Sequence, residues 1–281
     1  MNKKLIQKIK SLYLSNTSQK QISVKLNISQ YLVHKTLIQL GINLRNRRNV
    51  NLRSNIDDHY FKVINSEEKA YWLGYLYADG CVKYSKHKRK NGKFSYAKTI
   101  SLSSIDVTHL EKFRNSLKYT NSVKNYNNIS VLYISNPYIY DDLVSLGCVE
   151  RKTFILKFPN SSQVPKEYIS HFIRGYFDGD GGISLYRLKK TNELRASIDI
   201  CGIYSFLNDL LSNLNFVKTK IIYKDKRKST DCWEVKSNSM YFIKGLFNYM
   251  YKDATVYLER KYDKFVSFLK QKGSETIISK S

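Results

Sequence analysis

Two stretches of the chain repeat one another: AYWLGYLYADGCV at 70–82 and HFIRGYFDGDGGI at 171–183. Gly74 aligns with Gly175, Tyr75 with Tyr176, Ala78 with Gly179, and Asp79-Gly80 with Asp180-Gly181. A duplicated unit constrains the fold more than any single motif, because both copies must fold alike. After each Asp-Gly a strand-like segment follows, Val82 to Lys86 in one copy and Ile183 to Lys189 in the other. The next segment alternates cleanly: Thr99, Ser101 and Ser103 oppose Ile100 and Leu102, and Arg195, Ser197 and Asp199 oppose Ala196, Ile198 and Ile200. Such alternation implies a sheet with one apolar and one polar face. Each copy continues with an amphipathic helix (about Val107 to Leu117; about Ser205 to Leu214), two more strand-like runs and another helix. Each closes on a related tetrapeptide, Val149-Glu150-Arg151-Lys152 or Leu258-Glu259-Arg260-Lys261. The expected class is α+β, with two pseudo-symmetric αββαββα halves at 57–159 and 160–281.

Ser66-Glu67-Glu68 and Pro165-Lys166-Glu167 are good helix starts, and Gly80 and Gly181 suit helix ends. Small residues four apart, Gly74 with Ala78 and Gly175 with Gly179, make a narrow stripe on each helix. Glycine inside a helix costs about 1 kcal/mol relative to alanine, and close packing of the two helices supplies a reason for it. That packing sets Asp79 and Asp180 side by side at helix C-termini, where the helix dipole and the second carboxylate both disfavour negative charge. A bound hard cation such as Mg²⁺ relieves the conflict. A metal between carboxylates under a basic surface suits phosphodiester hydrolysis. One Asp-Gly alone reads equally well as a cap and turn; duplication of the whole constellation favours the metal.

These residues resemble the signature of the LAGLIDADG homing endonucleases, and two copies in one chain resemble the monomeric members. The resemblance implies signature helices at the interface between halves, saddle-like antiparallel sheets straddling double-stranded DNA, and Asp79 and Asp180 as divalent-metal ligands and catalytic acids. It also implies a catalytic basic residue after the last helix of each half, at Lys152 and Lys261, with Arg151 and Arg260 as neighbours that an alignment slip would select. Copy one departs from the pattern at Trp72-Leu73, and has Tyr77 where copy two has Asp178; these positions concern helix packing.

The polar sheet faces are the expected base readers: Lys83, Ser85, Arg89, Thr99, Ser101 and Ser103 in one half. Ser184, Tyr186, Lys190, Arg195, Ser197 and Asp199 are their counterparts in the other, and the differing sets predict a long, non-palindromic site. Lys86 to Lys93 and Lys224 to Lys228 add phosphate contacts.

Charge points to the same partner. The 281 residues carry a formal net charge of +25, and residues 1–56 hold 11 Lys or Arg with no acid. Within 1–42, three short helices read as a helix-turn-helix module, capped at Asn16-Thr17-Ser18 for a helix over Gln21 to Leu26 and at Ser29 for the next. Gln30, Tyr31, His34 and Lys35 are its candidate DNA contacts. The basic linker 43–56 carries Arg45, Arg47, Arg48 and Arg53, suited to the phosphate backbone or a minor groove.

Hydrophobic content of 42% argues against disorder, and no apolar run reaches the roughly 18 residues of a membrane span. The absence of a cleavable signal pattern suggests a soluble, intracellular chain in a bacterial, phage or organellar setting. Cys81, Cys148, Cys201 and Cys232 lack C-x-x-C spacing and read as reduced, mostly buried thiols. The reading that combines these features is a monomeric, Mg²⁺-dependent, site-specific DNA endonuclease of intron-homing type. The alternative is a non-cleaving binder on the same scaffold, an intron RNA maturase or a transcriptional regulator.

Overall fold

A computed structural model describes residues 3–15, 17–42, 44, 56–89, 91–217, 221–225 and 232–273. Arg45, Arg47, Arg48 and Arg53 lie outside the described residues. The chain divides into two compact units, Met1–Asn55 and Ile56–Ser281.

The first unit has three helices, α1 (Lys3–Leu14), α2 (Gln19–Leu26) and α3 (Gln30–Gln39), around Ile9, Tyr13, Ile22, Val33 and Leu37. Helix α2 starts two residues earlier than the sequence suggests. Ser18 forms a capping box: its hydroxyl accepts the Gln21 N–H, and the Gln21 side chain accepts the Ser18 N–H. Asn27, in the left-handed region at φ 50°, ends α2, and Ser29 caps α3 by accepting the Leu32 N–H.

In the second unit, the first half runs α4 (Glu67–Asp79), β1 (Gly80–Lys88), β2 (Phe94–Ser104), α5 (Val107–Ser116), β3 (Lys124–Tyr126), β4 (Ile129–Ile134) and α6 (Pro137–Ser145). The second half repeats it as α7 (Ile169–Asp180), β5 (Gly181–Arg187), β6 (Leu194–Gly202), α8 (Tyr204–Ser212), β7 (Ile222–Lys224), β8 (Trp233–Ser237) and α9 (Met240–Tyr251). It then adds α10 (Glu259–Gln271), which the sequence reading did not anticipate. Each half forms a four-stranded antiparallel sheet, in the order β1-β2-β4-β3 and β5-β6-β8-β7. The alternation divides the faces as its period requires: Val82, Ile100, Leu102, Ile183, Ile198 and Ile200 are buried, and the residues between them turn outward. One continuous core runs through both halves.

Helices α4 and α7 cross at Gly74 and Gly175. A Cβ on Gly74 would collide with the carbonyl of Phe172, and one on Gly175 with the carbonyl of Tyr71. Backbone therefore meets backbone, which only glycine permits at both places. Around this symmetric joint the side chains are asymmetric. Arg174, fully buried, donates to Glu67 Oε1 (2.7 Å), to Val256 O (2.9 Å) and to Met250 O. Glu67 also accepts the N–H groups of Thr255 and Val256, so one carboxylate of the first half ties down a loop of the second. Beside it, Tyr71 Oη donates to Asp178 Oδ2 (2.7 Å) and lies 2.9 Å from His109 Nε2. Because the tyrosine proton goes to Asp178, His109 must supply Nε2–H, and its buried Nδ1 is left without a partner.

Gly80 (φ −73°) and Gly181 (φ −100°) end α4 and α7 as expected, in extended backbone; a Cβ there would strike the preceding helical turn at Leu76 or Phe177. Two local expectations are corrected. Pro165 introduces a short 3₁₀ turn over Lys166–Tyr168, and α7 itself begins at Ile169. Of the cysteines only Cys148 is buried; Cys81 is exposed, because it falls on the outer face of β1. Among the described residues, no helix is long and apolar enough to cross a membrane.

Candidate active site

The crossing of α4 and α7 brings their last residues to one end of the joint. The carboxylate of Asp79 lies against the final turn of α7, with Oδ2 3.4 Å from the position a Cβ on Gly179 would take. Asp180 is half-buried at the matching end. Both carboxyls are pushed up from their usual range. For Asp79 the cause is desolvation, opposed by Lys261, Lys152 and Arg260. For Asp180 desolvation is reinforced by the charge of Asp79, and its pKa rises to about 6. Two carboxyls at helix C-termini, both raised by burial and one raised further by the other's charge, form a site that favours added positive charge.

The two lysines anchor to equivalent points. Lys152 Nζ donates to Gly80 O, and Lys261 Nζ donates to Gly181 O, so each caps the carbonyl that follows its helix. Lys261 goes further, donating to Phe177 O and Asp178 O at 2.8 Å each. Burial lowers its pKa to about 8. Three carbonyl acceptors occupy all three ammonium donors, so the arrangement calls for the charged form. Arg260 turns instead to Asp106 Oδ2 (2.8 Å), and Arg151 is exposed in a left-handed turn at φ 52°. The hydroxyl of Tyr176 donates to Cys201 O (2.9 Å) and lies within hydrogen-bond reach of Asp180. Its repeat partner Tyr75 points to Ser104 Oγ (3.5 Å).

A divalent cation fits this donor set in kind: two carboxylates, oxygen only, with the proton affinity of unmet charge. Among the described residues, no cluster of three or more His, Cys, Asp or Glu exists to hold a metal.

The sheets flank this end of the helices. Lys83, Ser85, Thr99, Ser101 and Ser103 lie on the outward face of their sheet, with Lys83 opposite Thr99. Ser184, Tyr186, Arg195, Ser197 and Asp199 do so on the other, with Ser184 opposite Ser197 and Tyr186 opposite Arg195. Arg89 and Lys190 are exposed at the hairpin turns. Lys90 and 226–231 lie outside the described residues, so the loop contacts expected there are only partly described. In the first unit Gln30, Tyr31, His34 and Lys35 are all exposed on α3. The outward faces also carry Tyr133, opposite Ser101, and Lys236, opposite Asp199. Neither was identified from the sequence: β4 shows no alternation of polar residues, and that of β8 spans only Trp233 to Lys236.

The chain shares 11% identity with the LAGLIDADG meganuclease I-AabMI, solved bound to uncleaved DNA, at a TM-score of 0.53 over 75% of this chain and 93% of that one. For LAGLIDADG homing endonuclease I-GzeII in complex with its DNA target the values are 16%, 0.51, 78% and 92%, and for meganuclease I-SmaMI bound to uncleavable DNA 13%, 0.52, 76% and 93%. The fold is that of the LAGLIDADG homing endonucleases. No family model matches the sequence. A curated relative, the probable translation initiation factor IF-2 of Methanocaldococcus jannaschii, is 29% identical over 174 residues. That stretch is 60% of this chain and only 14% of the factor, so the chain spans a small part of the relative it matches. Helices α4 and α7 form the joint between the two halves of this fold, and Asp79 and Asp180 stand at their C-terminal ends.

Proposed function

We propose that the chain is a site-specific double-strand DNA endonuclease of homing type that works with Mg²⁺ or another hard divalent cation. The observation that carries this reading is the duplicated constellation at the helix joint: Asp79 and Asp180 adjacent, each raised in pKa, each beside a lysine anchored to the following carbonyl. Asp79 and Asp180 would hold the cation. When bound, it supplies Lewis-acid polarisation of the phosphate and a more acidic water.

The protein's own part is positional and electrostatic. The glycine joint fixes the carboxylates relative to each other. Asp180 must lose its proton, held up to about pH 6, before it can act as a ligand. Lys261, locked to three carbonyls, offsets the negative end of α7 and lends positive charge to the site without moving. Lys152, held at one carbonyl and half-buried, has donors left to meet a phosphate oxygen.

The outward sheet faces read a long non-palindromic duplex, with Lys83, Arg89, Lys190 and Arg195 on phosphates and the smaller polar residues on base edges. The first unit adds a helix-turn-helix contact through Gln30, Tyr31, His34 and Lys35, and the arginines Arg45, Arg47, Arg48 and Arg53 add phosphate or minor-groove contacts. The chain acts as a monomer, because both halves of the site lie in it.

Asp79→Asn and Asp180→Asn each test the assignment. Incubated with Mg²⁺ and a plasmid bearing the target, either variant should lose double-strand cutting by at least about three orders of magnitude, while retaining duplex affinity within a few-fold. Cutting at the wild-type rate by either one excludes the site. Tight binding of intron RNA, with no cutting of any duplex by the unaltered protein, would place it among the non-cleaving binders.

A further inference from the structure

The two outward sheet faces differ in one respect that bears on which base they accept. At the root of β1–β2, beside Asp79, the outward pair is Cys81 opposite Ser101. At the equivalent root of β5–β6, two residues after Asp180, it is Gly182 opposite Asp199. The Asp199 carboxylate lies over Gly182: a Cβ there would sit 2.7 Å from Oδ2 and 2.8 Å from Oδ1. Glycine weakens a strand, and inside one it marks close approach by another group. Here that group is a half-buried carboxylate that makes no hydrogen bond or ion pair with any described residue. Its cross-strand neighbour Lys236 reaches toward Glu234 instead, at 3.8 Å.

A carboxylate accepts hydrogen bonds and cannot donate them. On a face that meets DNA it is repelled by phosphates, so its favourable contact is an amino group on a base edge. In the major groove guanine offers N7 and O6, both acceptors; thymine offers O4, an acceptor; adenine pairs its N6 amino group with the N7 acceptor beside it; cytosine offers only the N4 amino group. We infer that Asp199 is a specificity-determining residue that selects cytosine at the innermost base pair of the second half-site, and that Gly182 is glycine to give its carboxylate room. The hydroxyl of Ser101, donor and acceptor at once, imposes no such choice on the first half-site. The innermost positions of the two half-sites therefore differ in stringency. This inference rests on the endonuclease reading, in which the outward faces lie in the major groove.

The test is selection from a pool of randomised duplexes by the purified full chain, in Ca²⁺ without Mg²⁺ so that bound duplex is recovered intact. The unaltered protein should enrich a long motif with cytosine at one innermost position, preferred on the order of ten- to a hundred-fold over guanine or thymine. Asp199→Ser should lose the preference there and keep it at every other position. Asp199→Asn, isosteric over Gly182, should shift it toward adenine, which asparagine contacts through N6 and N7. An unchanged cytosine preference in Asp199→Asn overturns the inference, and this variant decides the matter if Asp199→Ser fails to fold. A motif in the unaltered protein without cytosine at an innermost position overturns it while leaving the endonuclease reading intact. Failure to enrich any motif overturns both.

Discussion

The two halves of the body share their backbone plan and differ in what their side chains do with it. Both place a helix on the joint, a four-stranded sheet beside it and a lysine on the carbonyl after the helix. The glycines at the crossing are equivalent, each excluded from gaining a Cβ by a carbonyl of the other helix. Yet Arg174 stands where the first helix has Leu73, Asp178 where it has Tyr77, and Phe172 where it has Tyr71. Helix α10 runs along β5, with Lys264 donating to Ile183 O and Lys272 reaching Glu193 near the hairpin turn. Among the described residues the first half has no such helix, and Tyr84, Phe94 and Tyr96 stay exposed on the corresponding hairpin. The difference teaches that duplication survives where backbone geometry sets the position of chemistry. Divergence collects where two faces need only meet each other, or, in the proposed function, read different bases.

The strongest way to break the shared part is at its glycines. Gly74→Ala and Gly175→Ala should each destabilise the protein by at least about 3 kcal/mol, because the Cβ meets rigid backbone and the helices must separate. Denaturant unfolding should give similar losses for both; a loss confined to one would refute the symmetry of the joint.

The asymmetric part can be sharpened by pH. Burial lowers His109 to about 4 from 6.5, so the folded state resists a proton that the unfolded chain accepts. Above pH 6.5 this costs nothing; as pH falls from 6.5 to 4 the histidine removes about 3 kcal/mol of stability. Asp178 works the other way, since burial raises it to about 6 from 3.8. Lowering pH through that window protonates the folded state first and adds stability. The two partly cancel, so the difference between wild type and His109→Gln isolates the histidine. Chemical melts at pH 7 and pH 4 should show the variant gaining about 3 kcal/mol relative to wild type on acidification.

The smallest effect separates the lysines. Lys261→Met removes three hydrogen bonds, leaving Phe177 O only the Gly181 N–H, and should lose about 2 kcal/mol, whereas Lys152→Met removes one and should lose about 1 kcal/mol or less. Equal losses in thermal unfolding would show that the extra contacts of Lys261 contribute nothing.

What the sequence made legible was what it states twice. The Gly-x-x-x-small stripe, the Asp-Gly end and the alternation of β2 and β6 are local patterns, and repetition removed their ambiguity. The pairing of Glu67 with Arg174 and the chain from His109 through Tyr71 to Asp178 occur once each, between residues far apart in sequence. An arginine amid the apolar residues of HFIRGYF was the available sign that a buried acceptor waited. The glycines after the aspartates end the helices as expected, but the space they leave for Leu76 and Phe177 is a packing requirement that no local pattern states. The relation of Gly182 to Asp199 needed strand register, which alternation alone does not supply.

The contact of Gly74 and Gly175 makes the pair of helices a gauge. With peptide planes rather than flexible side chains at the point of contact, the interval between the two carboxylate-bearing ends cannot stretch by a change of rotamer. A duplex lengthened by one central base pair moves one scissile phosphate away from the other by about 3.4 Å along the axis and turns it by roughly 35°. If the chain is the endonuclease proposed above, its tolerance for changes in the target should therefore depend on their kind: substitutions would be absorbed base by base at the sheets, while insertions at the centre would meet the full stiffness of the joint.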